Sequence, residues 1–390
     1  MNTLAFCGYD FRNIGDDAFM NVFAKHILDG NFFSHVSVTS SYLPNMEDTT
    51  QITPIYANMT AKRGAHLYRL LQNSWPIHLF AVVGGSVLHD TCHFEREYWK
   101  LRLLKTLNPK MKVVAVGVSV GPISTRESLS RLEKYLRLFD YISVRDEPSL
   151  TILEQLKLSC PVRKHFDLAA LLDWQPKAEH ISKKEIEPAP TTLGIAPCHV
   201  HRYRAGNPDL DTVRCDQIAK AINLVANQQD IKIKFFQCNG HSAQGDLPAI
   251  QQIKERLSKQ IPVEVVRYSP NPSYFLEEVA RCDAFVAMRL HAAIFAFLTK
   301  TPITSLSYHP KCEGFAQEIG LRSSRQVNAN AFTPDELSLA IQNTLAEKEN
   351  GSLTVEEAKE SARQHFIDLF SLWPSQKKAY SQNTFIKNAA

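Results

Sequence analysis

Short apolar runs alternate along this chain with longer stretches in which hydrophobic residues return every three to four positions. That is the pattern of βα units around a parallel sheet. In the first half the runs predict strands at Leu4–Tyr9, Val36–Thr39, Ile52–Tyr56, Leu79–Val83, Lys112–Val118 and Tyr141–Val144. A helix is predicted to open near Asp16, with Phe19, Val22, Phe23 and Ile27 on one buried stripe, and others over Phe94–Leu107 and Glu127–Phe139. From Trp174 to Thr192 the periodicity lapses into a polar segment with three prolines, which reads as an interdomain connection.

A second alternating series follows, with strands at Leu193–Cys198, Ile233–Cys238, Val263–Tyr268, Ala284–Ala287 and Ile303–Ser307. Helices are predicted at about Thr212–Gln228, Leu247–Lys259, Pro272–Arg281 and His291–Leu298, and then at Thr333–Lys348 and Val355–Phe370. The expected fold class is α/β, two Rossmann-like domains facing a cleft, with C-terminal helices able to pack back on the first domain. The expected domains are residues 1–175, a linker 176–192, residues 193–345 and a helical tail 346–390. Open sheets of this kind bind ligands beyond the carboxyl ends of their strands.

Composition narrows the function. With 44 Lys+Arg against 40 Asp+Glu in 390 residues, the chain lacks the concentrated basic charge of a dedicated nucleic-acid binder. Its eight cysteines include no CxxC pair, so neither a disulfide framework nor a structural zinc site is expected. The N-terminal residues lack a signal-peptide pattern, and no run of about 18 apolar residues suits a membrane span. A cytoplasmic location is expected.

Five segments carry candidate chemistry. Gly8–Asp17 (GYDFRNIGDD) follows the first strand and opens a helix; Asp16 and Asp17 suit the helix dipole, while Asn13 with an aspartate suits sugar hydroxyls. In VVGGSVLHD, Gly84 and Gly85 permit close approach of a ligand or the neighbouring domain, and His89 and Asp90 lie just beyond. YISVRD places Arg145 beside Asp146 at a strand end, where an ion pair and a ligand contact are both open readings. The sharpest signal is DAFVAMRLHA. Arg289 and His291 interrupt an apolar run at a strand-to-helix junction, where a guanidinium and helix N-terminal amides suit a phosphate or carboxylate. SLSYHPK then brings His309 and Lys311 to the same sheet edge, and the loops after two other strands add His199, His201, Arg202, Arg204 and His241. The HxH pair lacks a third ligand at fixed spacing, so no metal is expected. A small, strongly anionic ligand is expected in the second domain.

Taken together, NIGDDA, VVGGSVLHD, VGVSVGP with YISVRDEPS, and AMRLHAAIFAF with ITSLSYHPK resemble the polysaccharide pyruvyltransferase family in order and spacing. The family often has three glycines where this chain has Gly84-Gly85-Ser86. The resemblance implies a GT-B-like fold, with phosphoenolpyruvate bound by the second domain and the acceptor by the first. It implies transfer of the enolpyruvyl group to a sugar, forming a pyruvate ketal with release of phosphate and with no cofactor beyond that co-substrate. Arg289 would clamp the donor and either His291 or His309 would be the general acid. Lys311, Arg145, Asn13, Asp16, Asp17, Gly84, Gly85, His89, Arg202 and His241 are the other expected substrate-binding positions. The expected partners are phosphoenolpyruvate and a saccharide acceptor, free or lipid-linked, and no nucleic acid. A lipid-linked acceptor would imply peripheral contact at the inner face of a membrane, and a homo-oligomer is compatible with the sequence. Two competing readings remain: a GT-B-type glycosyltransferase using a nucleotide sugar, and a non-catalytic carbohydrate-binding subunit.

Overall fold

The computed structural model describes residues 1–6, 12–29, 32–40, 43–45, 50–55, 76–175, 190–202, 206–242 and 245–373. Cys7, most of the glycine-rich opening loop, Tyr56, the connection 176–189, Tyr203 and Arg204 lie outside the described residues.

In chain order the first strands and helices are β1 (Asn2–Phe6), α1 (Ile14–Asp29), β2 (His35–Val38), β3 (Ile52–Pro54), β4 (Ile77–Val83), α2 (Phe94–Leu107), β5 (Lys112–Val118), α3 (Arg126–Leu136), β6 (Tyr141–Val144), α4 (Glu147–Glu154) and β7 (Val162–Lys164). They continue as β8 (Thr191–Ala196), α5 (Pro208–Ala226), β9 (Ile231–Phe236), α6 (Leu247–Lys254), β10 (Val263–Val266), α7 (Pro272–Ala280) and β11 (Ala284–Ala287). The last are α8 (Leu290–Leu298), β12 (Ile303–Ser307), α9 (Pro310–Glu318), β13 (Gln326–Asn328), α10 (Pro334–Ala346) and α11 (Val355–Phe370). The chain divides into two compact units, one of Met1–Phe11, Asp16–Leu171 and Ala358–Ala390, the other of Arg12–Gly15 and Leu172–Glu357.

In the first unit seven parallel strands run in the order β3-β2-β1-β4-β5-β6-β7. β5 (KVVAVGV) is buried at every position after Lys112, as expected of a parallel strand covered on both faces. α11 completes the unit from the far end of the chain. His365 lies wholly buried, with Nδ1 2.7 Å from the Ser143 hydroxyl and Nε2 2.8 Å from the Phe166 carbonyl. Phe166 N–H in turn donates to the Ser361 hydroxyl at 2.9 Å. Phe366 stacks on His26 at a centroid distance of 4.4 Å.

The second unit repeats the scheme with six parallel strands ordered β10-β9-β8-β11-β12-β13, over a core that includes Ile195, Ile233, Phe235, Val286 and Leu306. In both sheets the strand order reverses once, between β1 and β4 and between β8 and β11, which are the expected ligand positions. A capping residue followed by proline opens α5 (Asn207-Pro208), α7 (Asn271-Pro272), α9 (His309-Pro310) and α10 (Thr333-Pro334). Proline at the first helical position gives up no needed N–H and fixes φ for the turn.

Several spans differ from the sequence expectation. β7, β13, α4 and α9 were not expected; the two strands are three residues each, and α4 and α9 follow strand ends that read as polar loops. α6 stops at Lys254 rather than Lys259, because the chain turns through Glu255–Leu257 with Arg256 N–H bonded to Ile253 O at 3.0 Å.

Candidate functional site

At the reversal point of the second sheet, β8 and β11 end side by side, with Ala196 opposite Ala287. Arg289 follows β11 as the N-terminal cap residue of α8, its backbone extended at φ −79° and ψ 133°. Its side chain does not cap the helix. Instead Nε donates to Asp246 Oδ1 at 3.1 Å, and Nη2 donates to the same oxygen. Asp246 is fully buried and its other oxygen accepts Asn239 N–H at 2.7 Å, so it ties the β9–α6 loop to the guanidinium. Burial pushes the Asp246 carboxyl up, and Arg289 pulls it back. Burial also works against the charge on Arg289, but the Asp246 carboxylate outweighs it and holds the guanidinium well above its ordinary value. The Arg289 side chain remains 21% exposed, and among the described residues Nη1 makes no hydrogen bond. One edge of the donor fork is thus fixed in place and the other is open to a ligand.

Cys198, Cys238 and Cys312 lie around this pair. Burial pushes the thiols of Cys198 and Cys312 up to about 11 and about 12, and that of Cys238 well above its ordinary value. They are neutral and add no charge that would repel an anion. None of the seven described cysteines forms a disulfide.

Asn13 and Gly15 belong to the same unit. Asn13 forms an antiparallel bridge with Asn239, Ile14 N–H bonds to Cys238 O at 3.0 Å, and Gly240 N–H bonds to Arg12 O at 2.8 Å. Asn13 Oδ1 accepts Gly15 N–H at 3.3 Å and so caps α1. A Cβ on Gly15 would stand 2.0 Å from His291 Nδ1, so the glycine makes room for that imidazole. The expectation that grouped Asn13 with the first domain is corrected here: the NIGDD segment is divided, Asn13 and Gly15 falling in one unit and Asp16 and Asp17 in the other.

His309 follows β12 as the cap of α9, with Nδ1 accepting Lys311 N–H at 3.2 Å; its ring proton is therefore assigned to Nε2. Arg202 is exposed, its backbone N–H held 2.8 Å from Asp211 Oδ2. Burial works against the charge on Asp211, but the N–H groups of Val200, Arg202 and His201 outweigh it and keep the carboxyl below its ordinary range. His241 is exposed, its N–H bonded to Asn239 Oδ1 at 2.9 Å. His199 turns inward to Gln252, 3.2 Å away, and no metal-binding group of side chains occurs among the described residues.

The first unit carries its own polar cluster at the β1–β4 reversal. Arg145 is buried, and its partner is Asp167, 2.5 Å from Nη1, with the guanidinium 5.1 Å above the Phe19 ring. The expected pair with Asp146 is corrected: Asp146 caps α4, accepting Ser149 N–H at 2.9 Å. Asp16 and Asp17 are both buried in the first turn of α1. Burial pushes the Asp16 carboxyl up to about 7 against the pull of Arg145, and Asp16 Oδ2 has no hydrogen-bond partner among the described residues. Gly84 and Gly85 both have positive φ, and a Cβ on Gly84 would meet Phe19 at 2.3 Å. The close approach that Gly84 permits within this unit is that of α1. His89 Nδ1 lies 2.9 Å from Thr91 Oγ1, and Asp90 braces the β5–α3 loop through Ser124 N–H at 2.7 Å.

Asp246 and Asp167, the carboxylates that hold the two arginines, were missed in the sequence. For Asp246 a signal existed: it is the only acid between Ile231 and Ile250, and Pro248 marks a helix start just after it.

The sequence matches the family described as polysaccharide pyruvyl transferase over residues 13–310. A search of curated proteins gives no match. Among solved structures, a putative UDP-N-acetylglucosamine 2-epimerase from Listeria monocytogenes aligns with a TM-score of 0.61 at 10% identity, covering 96% of this chain and 98% of that one. The UDP-GlcNAc 2-epimerase from Methanocaldococcus jannaschii, solved with UDP-GlcNAc and UDP, gives 0.55 at 14% identity, with 95% and 100% covered. Sucrose-phosphate synthase from Thermosynechococcus elongatus gives 0.53 at 13% identity, with both chains covered completely. These likenesses are of fold, which is that of the GT-B class.

Proposed function

Because the chain belongs to the polysaccharide pyruvyl transferase family, we propose that it moves the enolpyruvyl group of phosphoenolpyruvate onto a sugar of a polysaccharide or its lipid-linked precursor, forming a pyruvate ketal. The observation that carries this reading is Arg289, anchored by buried Asp246 at the reversal point of the second sheet with part of its donor fork left open. That open edge suits the carboxylate or phosphate of the donor, and Lys311, in the first turn of α9 after the neighbouring strand β12, supplies a second cation.

Protonation of the donor's methylene carbon turns it into a methyl group and leaves an electrophilic carbon that a sugar hydroxyl attacks. A second hydroxyl of the same sugar then displaces phosphate and closes the ketal. His291 is the acid in this scheme. His309 spends its Nδ1 lone pair on Lys311 N–H, a bond that only the neutral ring can accept, so it is given a binding role rather than that of the acid. Asp16, buried in the first unit with no hydrogen-bond partner for Oδ2 among the described residues, is the group suited to accept a hydroxyl proton on the acceptor side. Arg202 and His241 contribute to the anionic end.

The test is phosphate release from phosphoenolpyruvate with a panel of saccharide acceptors. Release that requires both substrates and falls by about 10²–10⁴-fold in His291→Ala supports the reading. Turnover of a nucleotide sugar in its place would assign the fold to glycosyl transfer. Sugar binding without turnover would make the chain a carbohydrate-binding subunit.

A further inference from the structure

α2 has two apolar faces, and only one of them is used inside the fold. Phe94, Leu101 and Leu104 are buried against the first unit's core. Trp99, Leu103 and Leu107, spaced at i, i+4 and i+8, form a second stripe and are 54%, 46% and 50% exposed. An indole, and two leucines a turn apart beyond it, facing outward together is a patch rather than scattered single exposures. The Trp99 ring has cations beside it: the Arg102 guanidinium lies 5.2 Å from its centroid and Lys134 Nζ lies 5.7 Å away, while Lys134 also sits 4.6 Å from the Tyr98 ring.

Charge follows the same surface. Residues 94–110 hold five Lys/Arg against two Glu, and residues 126–137 hold four against two, so these segments carry more excess positive charge than the whole chain's +4. Arg96, Lys100 and Arg102 are exposed on α2, and Arg131, Lys134 and Arg137 on α3, the helix that packs beside it. Three of the four acids on these helices are engaged by the cations, Glu97 by Arg96 and Lys100, Glu127 by Arg131 and Glu133 by Arg137, and the fourth, Glu95, is exposed. Among the described residues no helix is long and apolar enough to cross a membrane.

We propose that the Trp99–Leu103–Leu107 stripe of α2, flanked by the basic side chains of α2 and α3, docks the protein onto an anionic lipid bilayer. Tryptophan and leucine enter the boundary between headgroups and acyl chains, while Lys and Arg stay at the level of the anionic headgroups. The charge complementarity selects this occupant over a second copy of the chain, which would set two basic surfaces against each other. This surface does not depend on the identity of the donor.

The experiment is co-sedimentation of the full chain with phosphatidylcholine vesicles with and without phosphatidylglycerol, at low and high salt. Wild type is expected to partition onto the anionic vesicles at least about tenfold better than onto the neutral ones, and to be released by salt. Trp99→Ser/Leu103→Ser and Lys100→Gln/Arg102→Gln should each lose about tenfold in partitioning. Both variants change exposed positions and should keep the wild-type melting temperature, which is measured alongside. Absence of partitioning onto anionic vesicles, or unchanged partitioning in both variants, overturns the proposal. So does a concentration-dependent dimer in solution that the Trp99→Ser/Leu103→Ser change abolishes.

Discussion

The Arg289 guanidinium is bound to the carboxylate of Asp246 through Nε at 3.1 Å and through Nη2, and the two partners differ sharply in burial. Asp246 is fully enclosed, whereas 21% of the Arg289 side chain reaches solvent. Removing either partner therefore has unequal consequences. Arg289→Ala strands a carboxylate in the interior and is expected to cost about 3–5 kcal/mol, as for a broken buried pair. Asp246→Asn keeps a hydrogen-bonding partner for the guanidinium and is expected to cost about 1–2 kcal/mol. Urea denaturation of the two variants measures the difference. A larger loss in Asp246→Asn than in Arg289→Ala would contradict it.

Two glycines separate space from backbone freedom. Gly15 has no room for a side chain, because a Cβ there meets His291 Nδ1 at 2.0 Å. Gly15→Ala is expected to cost about 1–3 kcal/mol by overpacking and to displace the imidazole, with transfer lost. At Gly314, inside α9, a Cβ meets nothing within 4 Å, so Gly314→Ala is expected to stabilise by about 0.5–1 kcal/mol. Thermal melting of both variants, with turnover for the first, checks the pair.

The attachment of α11 is sensitive to acid. Burial holds His365 down at about 3 and His26, stacked on Phe366, down at about 4. Both rings fold neutral, and the unfolded chain takes up their protons first. Their contribution is complete above the ordinary histidine value of about 6.5 and is lost as pH falls towards 4 and 3. Unfolding free energy should therefore drop between pH 6.5 and 4, and His365→Asn should show a shallower drop. An equal slope in the variant would rule out His365 as a source of it.

Asp16 acts in the opposite sense. Its folded value of about 7 lies above the ordinary 3.8, so the folded state holds its proton longer and loses stability as pH rises through that window. The shift corresponds to up to about 4 kcal/mol. Asp16→Asn should raise the melting temperature at pH 7.5 while lowering transfer, the trade expected where a buried acid is kept for chemistry. A lower melting temperature would mean that the carboxylate is structurally required.

The parallel strands were plain in the sequence because burial on both faces writes them as short runs free of charged residues after the first position, with only small hydroxyl side chains among the apolar ones: β5, β6, β11 and β12 begin and end at the expected residues. The RLH segment was legible for the same reason, since two polar side chains interrupt such a run. What could not be read was partnership across distance. Asp246 and Asp167 lie 43 and 22 residues from the arginines they hold, and nothing local links them. α9 was missed because His309 is an unusual cap, although the proline after it repeats the start signal of α5, α7 and α10. The division of NIGDD between units depends on the bridge to Asn239, a long-range contact with no periodicity of its own.

Whether the open edge of Arg289 receives phosphoenolpyruvate is read out by a thermal-shift titration. The variant to use is Arg289→Gln/Asp246→Asn, which removes both buried charges together and leaves groups able to hydrogen-bond each other. Phosphoenolpyruvate is expected to raise the melting temperature of wild type by mass action and to leave that of the double variant unchanged, while UDP- and GDP-sugars shift neither. Stabilisation of wild type by a nucleotide sugar but not by phosphoenolpyruvate, or an equal phosphoenolpyruvate shift in the double variant, would contradict the account.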